Sequence, residues 1–549
     1  MSFKSYAKTA LSLFLVLLII VSVFSFTASA DTIVESNPEG TTEPTAEPVH
    51  NGLTGDCIWE YNPETKTLTI SGYGNMGGED NAENYPWRNL EIKNLVIENG
   101  VKSIPKAAFS NCGFESLTIG ESVETISEEA FYSCRNLLSA SIPDSVTTLG
   151  ENVFSGCYSL NTVKLPNNIT FIPDGLFSDC TALSAVTIPN TVTGIGIAAF
   201  YGCESLQRIT IPSNVKVIER SAFRFCTNLS TINLPSALTN IHPGAFTNTA
   251  WLNRKPAGVV YINNMAYTFS GAPSSITVKK NTSKICDEAF NGCTSLKKVK
   301  IQSGVKSIGA FAFYNCPSLS SVSISSSVKS IGTEAFSENR ALKKLKIPKS
   351  VTQIGDHAYG YTFYYDTKTD KSEYRLISGS KVYGAVGSAA FRYAFNSAFT
   401  NPKGVEFHTE FYRKQSAKIS GISSGSAKIT YNTSNKKVAI VNSLGKITGV
   451  KKGTAAITFS QNNKTWKFKV HIKNPKLNAK KKTLKKGKTF KLKITGKVGK
   501  AKFSSSNKKV ATVSKKGKIK AKKKGKATIT VKTNGIKLKC KITVKKNKK

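Results

Sequence analysis

The sequence predicts a β-rich chain: a solenoid of short stacked coils with short helical turns, followed by two small β-sandwich domains. Three observations carry this. An apolar pattern returns every 23 residues across most of residues 101–410, and two C-terminal segments, 433–458 and 505–530, align without gaps at an offset of 72. Both of those segments read as short alternating strands broken by Gly and Asn turns. At 549 residues and 40% apolar content the chain can build several folded cores.

Residues 1–30 read as a signal peptide. Lys4 and Lys8 precede the apolar run LSLFLVLLIIVSVF, and Ala28-Ser29-Ala30 supplies a small-residue cleavage pattern before Asp31. An uncleaved N-terminal anchor is the alternative. No second apolar run reaches spanning length, so no membrane span is expected after signal cleavage, and neither a lipid-bearing cysteine nor an LPxTG-like sorting sequence is present. Residues 31–50 hold five acidic side chains and no basic one in a Thr/Pro/Glu-rich stretch, the composition of a solvated linker.

The repeat is anchored on an aromatic residue: Phe109, Phe131, Phe154, Phe177, Phe200, Phe223 and Phe246, then Phe290, Phe313, Phe336 and Tyr359. One unit reads V-x-x-I-x-x-x-A-F-x-x-C-x-x-L-x-x-I-x-I-P, as in Val192, Ile195, Ala199, Phe200, Cys203, Leu206, Ile209, Ile211 and Pro212. The L-x-x-I-x-I part has the alternation of a half-buried strand, and proline ends it because it has no N–H for the ladder. A unit this short cannot bury its apolar side alone, whereas stacked copies share one core. At about 4.8 Å per coil the array is roughly 50 Å long.

This unit resembles the bacterial 23-residue leucine-rich repeat of BspA-like surface proteins, from roughly Val101 to Phe407. The segment ISGYGNMGGEDNAENYPW, with Ser71, Gly72, Gly74, Met76, Pro86 and Trp87, resembles the opening of such arrays, so residues 51–100 are expected to cap the solenoid at 101–410. KVYGAVGSAAFRYAF, Lys381 to Phe395, resembles the closing element; Ser388 is expected to cap a short helix bearing Ala390, Phe391, Ala394 and Phe395, within a C-terminal cap at 351–410. The resemblance implies a binding protein of the cell surface, associated with extracellular matrix and other cells.

Two places depart from the pattern. The 44-residue step after Phe246 puts Thr249 in the cysteine slot and adds an insertion at 247–281, expected to form a hairpin turning at Asn263-Asn264. The last coil, from Val351, loses its strand to YTFYYDTKTDKSEYRL. Each reads either as a specificity element or as an irregular coil.

The two C-terminal copies share S-N-x-x-V-A-x-V, then G-x-I, then G-x-A-x-I-T, and resemble the bacterial immunoglobulin-like domain of group 2. The first, 411–473, lacks a clear opening strand, whereas the second, 474–549, is complete. The second holds 30 lysines with no arginine and no acidic residue, while Phe490, Leu492, Ile494, Ile519 and Ile529 alternate inward. Lys516, Lys518, Lys520, Lys522, Lys524 and Lys526 are the candidate polyanion patch, for an anionic cell-wall polymer such as teichoic acid. Nucleic acid is disfavoured by the export signal and by the lack of arginine and interleaved aromatics. A solubilising stalk without a specific partner is the bland reading.

Nothing points to catalysis. The five histidines, His50, His242, His357, His408 and His471, are scattered, and no metal-ligand spacing, phosphate-binding loop or nucleophile elbow occurs. No enzyme activity, metal or cofactor is expected. Binding is, on the outward strand positions; the candidate ligand face is Arg208, Thr210, Thr231, Asn233, Lys298, Lys300, Lys344 and Lys346. Two functions fit: an adhesin whose solenoid binds an extracellular protein or glycan, or an envelope-architecture protein that crosslinks wall polymers.

The repeat cysteines, Cys112, Cys134, Cys157, Cys180, Cys203, Cys226, Cys293 and Cys316, number eight, which in an exported chain raises the prospect of disulfides. Parallel side chains at a coil spacing of about 4.8 Å stay beyond the preferred Cβ separation for a bridge, near 3.8 Å. The slot also accepts Thr249 and Asn339. Packing of a small buried side chain is therefore favoured over adjacent-coil bridges. Cys57, Cys286 and Cys540 lie off the ladder, without an assignable partner.

Overall fold

The computed structural model describes residues 50–78, 82–367, 369–400, 405–419, 429–461 and 464–546. The signal peptide and nearly all of the linker lie outside these residues. The array opens on an antiparallel meander, Asn51–Thr54, Cys57–Asn62 and Thr67–Gly72, whose last strand pairs parallel with Asn94–Ile97 and so starts the stack. Trp87 seals this end: it is fully buried, its indole N–H donates to the Ala108 carbonyl at 2.7 Å, and its ring stacks on Phe109 at 5.4 Å.

Each coil contributes two strands, one more than the sequence pattern indicates. The L-x-x-I-x-I segment pairs parallel with its neighbours, as Arg208–Thr210 does with Thr231–Asn233. The V-x-x-I segment also pairs, in two-residue strands such as Gly194–Ile195, Val217–Ile218 and Asn240–Ile241. A two-residue strand is too short to show alternation, which is why the second ladder is hidden in the sequence. Between the ladders the A-F-x-x-C segment is a run of turns, with Tyr201 N donating to Ala198 O and Cys203 N to Phe200 O.

The aromatic residues form a spine in two runs, from Trp87 to Phe246 and from Phe269 to Phe336. Phe200 is fully buried, 5.4 Å from Phe177 and 5.0 Å from Phe223 between ring centroids. Stacking identical coils superposes identical side chains, so the spine follows directly from the 23-residue period.

The 44-residue step holds a distorted coil. Thr249 caps a one-turn helix, Ala250–Asn253, and the hairpin Gly258–Ile262 with Met265–Ser270 turns at Asn263-Asn264 as expected. Met265–Ala266 then joins the short ladder beside Lys284–Ile285, and Ser275–Val278 joins the long one beside Lys298–Ile301. The insertion thus supplies both strands of a coil, with Phe269 stacking on Phe290 in the spine at 6.1 Å. The last coil also corrects the sequence reading: its strand is displaced, not lost. A hairpin, Tyr361–Asp366 with Lys371–Leu376, loops out, and the chain returns as Lys381–Tyr383 to pair with Lys344–Lys346.

Beyond it, Ser388 caps the helix Ala389–Thr400 by accepting from Phe391 N. Phe391 meets Phe407 and Phe468 edge-on at 5.0 and 5.6 Å. These contacts join the array to the first sandwich. Strand Glu406–Tyr412 pairs parallel with Lys381–Tyr383 on one side and with Lys464–Lys473 on the other. One buried core therefore runs from Cys57 to Ile472, and residue 411 falls inside the shared strand. The first sandwich copy shows no opening strand of its own because it uses the array's closing one: Glu406–Tyr412 overlaps, at the 72-residue offset, the second copy's Lys481–Lys485, which pairs parallel with Ile536–Lys545.

The second sandwich has a separate core, from Leu484 to Val544, in which Leu492, Ile519 and Ile529 are buried and Phe490 and Ile494 half-buried. It docks on the first through the turn at Asn534, whose side-chain amide donates to the carbonyls of Arg413 and Gly496 and whose oxygen accepts from Val498 N. Gly496 is required here: its φ is +77°, and a Cβ would sit 2.1 Å from the Tyr412 ring.

Candidate binding surfaces

The outward positions of the long ladder are exposed because their neighbours on either side in sequence, such as Ile209 and Ile232, fill the core. Arg208 and Thr210 lie beside Thr231 and Asn233 on adjacent strands, and Asn233 donates its amide to the Thr210 hydroxyl at 3.3 Å. Lys298 and Lys300 do not follow directly: Ser275 and Thr277 stand between, supplied by the distorted coil, and Ser321 and Ser323 come next. Lys344 and Lys346 are exposed on the strand after that. The eight candidates thus face outward from three separate sheets, Lys344 and Lys346 from the outer side of the last.

That side continues further than the repeat. Lys344 and Lys346 pair with Lys381 and Tyr383, these with Glu406 and His408, and His408 with Lys469 of the first sandwich. Here the charges are compensated. Glu406 faces Lys469 at 2.6 Å and Lys381 at 3.9 Å, and Glu410 takes Lys473 and, at 3.3 Å, Lys346. Burial alone would raise both carboxyls, but hydrogen bonds from Lys469 and His408 to Glu406, and from Lys473 to Glu410 beside the charge of Lys346, hold them below the ordinary range. Lys346 is accordingly engaged within the chain. Tyr383, Glu406 and Glu410 have no sequence signal beyond the strand patterns KVY and EFHTEFY, and His408 and His471, scattered in the sequence, meet in the structure.

The lysine patch is exposed at all six positions but is not one face. Lys518 and Lys520 flank buried Ile519 on a strand paired with Thr489–Lys491 and Ala511–Val513. Lys522 and Lys524 lie in the following bend, and Lys526 begins a strand of the other sheet, opposite Thr543. An open groove of about 450 Å³ runs between Lys524, Lys526, Lys545 and Lys546. From residue 411 onward the sequence has 43 Lys and Arg and no Asp or Glu, so the whole formal net charge of +43 resides there.

The repeat thiols are placed by more than size. Each of Cys134, Cys157, Cys180, Cys203, Cys226 and Cys316 points its Sγ at the carbonyl of the spine phenylalanine one coil earlier, at 2.9–3.2 Å; Cys203, for example, faces Phe177 O. Asn339 reproduces the contact with its amide, 2.8 Å from Phe313 O. In these seven coils the slot holds a donor as well as a small volume, which refines the packing interpretation; Thr249 instead donates to Phe246 O of its own coil and Cys293 faces Pro273 O at 4.0 Å. Burial pushes the thiols of Cys134, Cys180 and Cys203 up, Cys112 to about 11 and Cys316 to about 12. Among the described residues no three His, Cys, Asp or Glu side chains are grouped to hold a metal ion, and no helix is long and apolar enough to cross a membrane.

The family description "BspA type Leucine rich repeat region" matches in six copies over residues 81–193, 157–270 and 260–378, more than half of the chain. The chain belongs to the BspA-type leucine-rich repeat family. Its C-terminal part matches "Bacterial Ig-like domain (group 2)" twice, over residues 411–470 and 471–544. Domains of both kinds are typically binding or structural modules. The BspA-type chain is similar to a leucine rich cell surface protein from Faecalibacterium prausnitzii A2-165, at 26% identity over 62% of this chain and 89% of that one, with a TM-score of 0.32. It is also similar to leucine-rich repeat proteins from Eubacterium ventriosum ATCC 27560 (20% identity, 57% and 95%, TM-score 0.32) and Bacteroides ovatus ATCC 8483 (20% identity, 64% and 98%, TM-score 0.33). No curated protein matches it.

Proposed function

We propose that this BspA-type protein is a non-enzymatic binding protein of the bacterial cell surface. In this reading the sheet side of the array engages an extracellular protein or glycan, and the lysine-clad second sandwich holds to an anionic wall polymer. The observation that carries it is charge: 43 basic and no acidic side chains from residue 411 on, with the lysines at 516–526 exposed. Such a surface has no counter-charge within its own domain, and a polyanion that neutralises it gains from released counterions. Nucleic acid fits poorly, because arginine is absent from residue 474 on. On the array, exposed hydroxyl, amide and lysine groups on a rigid sheet suit a polar partner.

The test is a graded salt wash of producing cells. Release of the full chain only toward about 1 M salt, where the Debye length shrinks to about 3 Å, supports the electrostatic attachment. Appearance in the medium alone overturns it. A chain ending at residue 473, which lacks only the second sandwich with its separate core, is then exposed to matrix proteins and glycans at physiological salt. Binding supports adhesion, and binding to the producer's walls alone favours the envelope-architecture alternative.

A further inference from the structure

Where the array's closing strand meets the first sandwich, two imidazoles 63 residues apart in sequence come together. His408 Nδ1 lies 2.7 Å from His471 Nε2, and the rings meet edge to edge, with centroids 5.0 Å apart and planes 8° from parallel. His408 is only 2% exposed. Its Nε2 faces Glu406 at 3.1 Å, and His471 Nδ1 lies 2.9 Å from the Thr454 hydroxyl. Tyr383 lies beside both, its ring centroid 4.8 Å from His408 and 6.1 Å from His471.

The groups facing the pair are Lys381 and Tyr383 from one neighbouring strand, Glu406 and Glu410 from the strand of His408, and Lys469 and Lys473 from that of His471. Strand Gly453–Gln461 adds Thr454 and no charge, and Lys346 reaches the site only through Glu410. The closing helix packs against the opposite side of the sheet, through Phe391 on Phe407.

A nitrogen–nitrogen contact this short is a hydrogen bond only if one atom carries the hydrogen and the other a lone pair. With both rings neutral this is met: His408 carries its hydrogen on Nε2, 3.1 Å from Glu406, and His471 Nε2–H donates to His408 Nδ1. One added proton, on His471 Nδ1, is also met, because that N–H then donates to Thr454. A second proton has nowhere to go except the shared contact. It sets N–H against N–H and two positive rings edge to edge.

We propose that the His408–His471 pair is a proton-counting latch: it holds the array's closing strand to the first sandwich with no proton or one added, and opens that junction on the second. The rings sit on two hydrogen-bonded strands, so they cannot separate without loosening Glu406–Tyr412 from Lys464–Lys473. Burial lowers the affinity of both imidazoles for a proton, partly offset at His408 by Glu406 and reinforced at His471 by His408. A histidine whose folded-state value is lowered is bound more tightly by protons when released. The junction is therefore fully stable above the ordinary histidine range and loses stability as the pH falls below it. The latch is independent of what either surface binds.

Hydrogen exchange of the full chain tests this at pH about 7.5 and about 5, either side of the ordinary histidine value. After correction for intrinsic rates, the amides of Glu406–Tyr412 and Lys464–Lys473 are expected to open about tenfold more at the acid pH, with Ile536–Lys545 of the second sandwich unchanged. His471→Gln keeps a donor and an acceptor but cannot take a proton, and is expected to shrink the acid effect to what His408 alone contributes while keeping the neutral-pH protection. Equal acid opening in both proteins, or none in the native one, overturns the proposal. If the variant does not fold, imidazole NMR titration of the native chain decides: two histidines titrating independently at ordinary values overturn it.

Discussion

The cysteine slot shows what a repeat selects at a single position. The thiol of Cys203 fills a small buried volume and donates to Phe177 O, and Asn339 meets the second requirement by other chemistry. If the donor matters, Cys203→Ser is less destabilising than Cys203→Ala, which loses donor and volume together and costs about 2 kcal/mol. Denaturant melts that rank serine below alanine would reduce the slot to packing alone. Because burial raises the thiols of Cys134, Cys180 and Cys203, these side chains are protonated at neutral pH. Thiol reagents are expected to label the native array only slowly, and quickly after unfolding; fast native labelling would contradict the buried ladder. Phe200, stacked between Phe177 and Phe223, is expected to cost about 3–5 kcal/mol when truncated to alanine, read as a lowered melting midpoint.

Among the elements, the strand Glu406–Tyr412 decides the architecture. It closes the array and opens the first sandwich, so cutting the chain at residue 411 removes an edge from both. A chain ending at residue 410 is expected to expose the Phe391 and Phe407 rings and aggregate, whereas one ending at 473 stays monomeric and folded by size exclusion and circular dichroism. The link to the second sandwich is smaller. Of the hydrogen bonds that Asn534→Ala removes, the one to Arg413 O crosses between the sandwiches, so the variant is expected to weaken their coupling by about 1 kcal/mol, seen as separate unfolding transitions where the native chain gives coincident ones. None of this was legible in EFHTEFY, which reads as a lone alternating strand. Its partners lie at residues 381–383 and 464–473, and no local pattern names them.

For the described molecule from residue 50 on, charge and fold are distributed differently. The fold is continuous from Cys57 to Ile472, while the net positive charge begins near residue 411. The first sandwich therefore belongs to the array by packing and to the lysine-rich end by charge. Binding to an anionic polymer is expected to weaken linearly in log–log form with salt, with a slope that shrinks by about one for each contacting lysine removed. Replacing Lys518 and Lys520, which share one strand, with Gln is expected to reduce that slope, and an unchanged slope would move the contact to the groove at Lys524–Lys546.

The sequence by itself determined most of what each coil does, the second, two-residue ladder excepted. The 23-residue period, the buried phenylalanine, the cysteine slot, the outward columns and the cationic coat were all legible, because in a solenoid every coil's environment is made of copies of itself. The tertiary structure decided everything at the unlike junctions. The distorted coil restores both ladders, the last array strand is displaced rather than lost, the closing strand is shared with a sandwich, and His408 meets His471. Those contacts join residues of different pattern across tens of positions. Their register depends on which side chains fit, and nothing in the repeat encodes that.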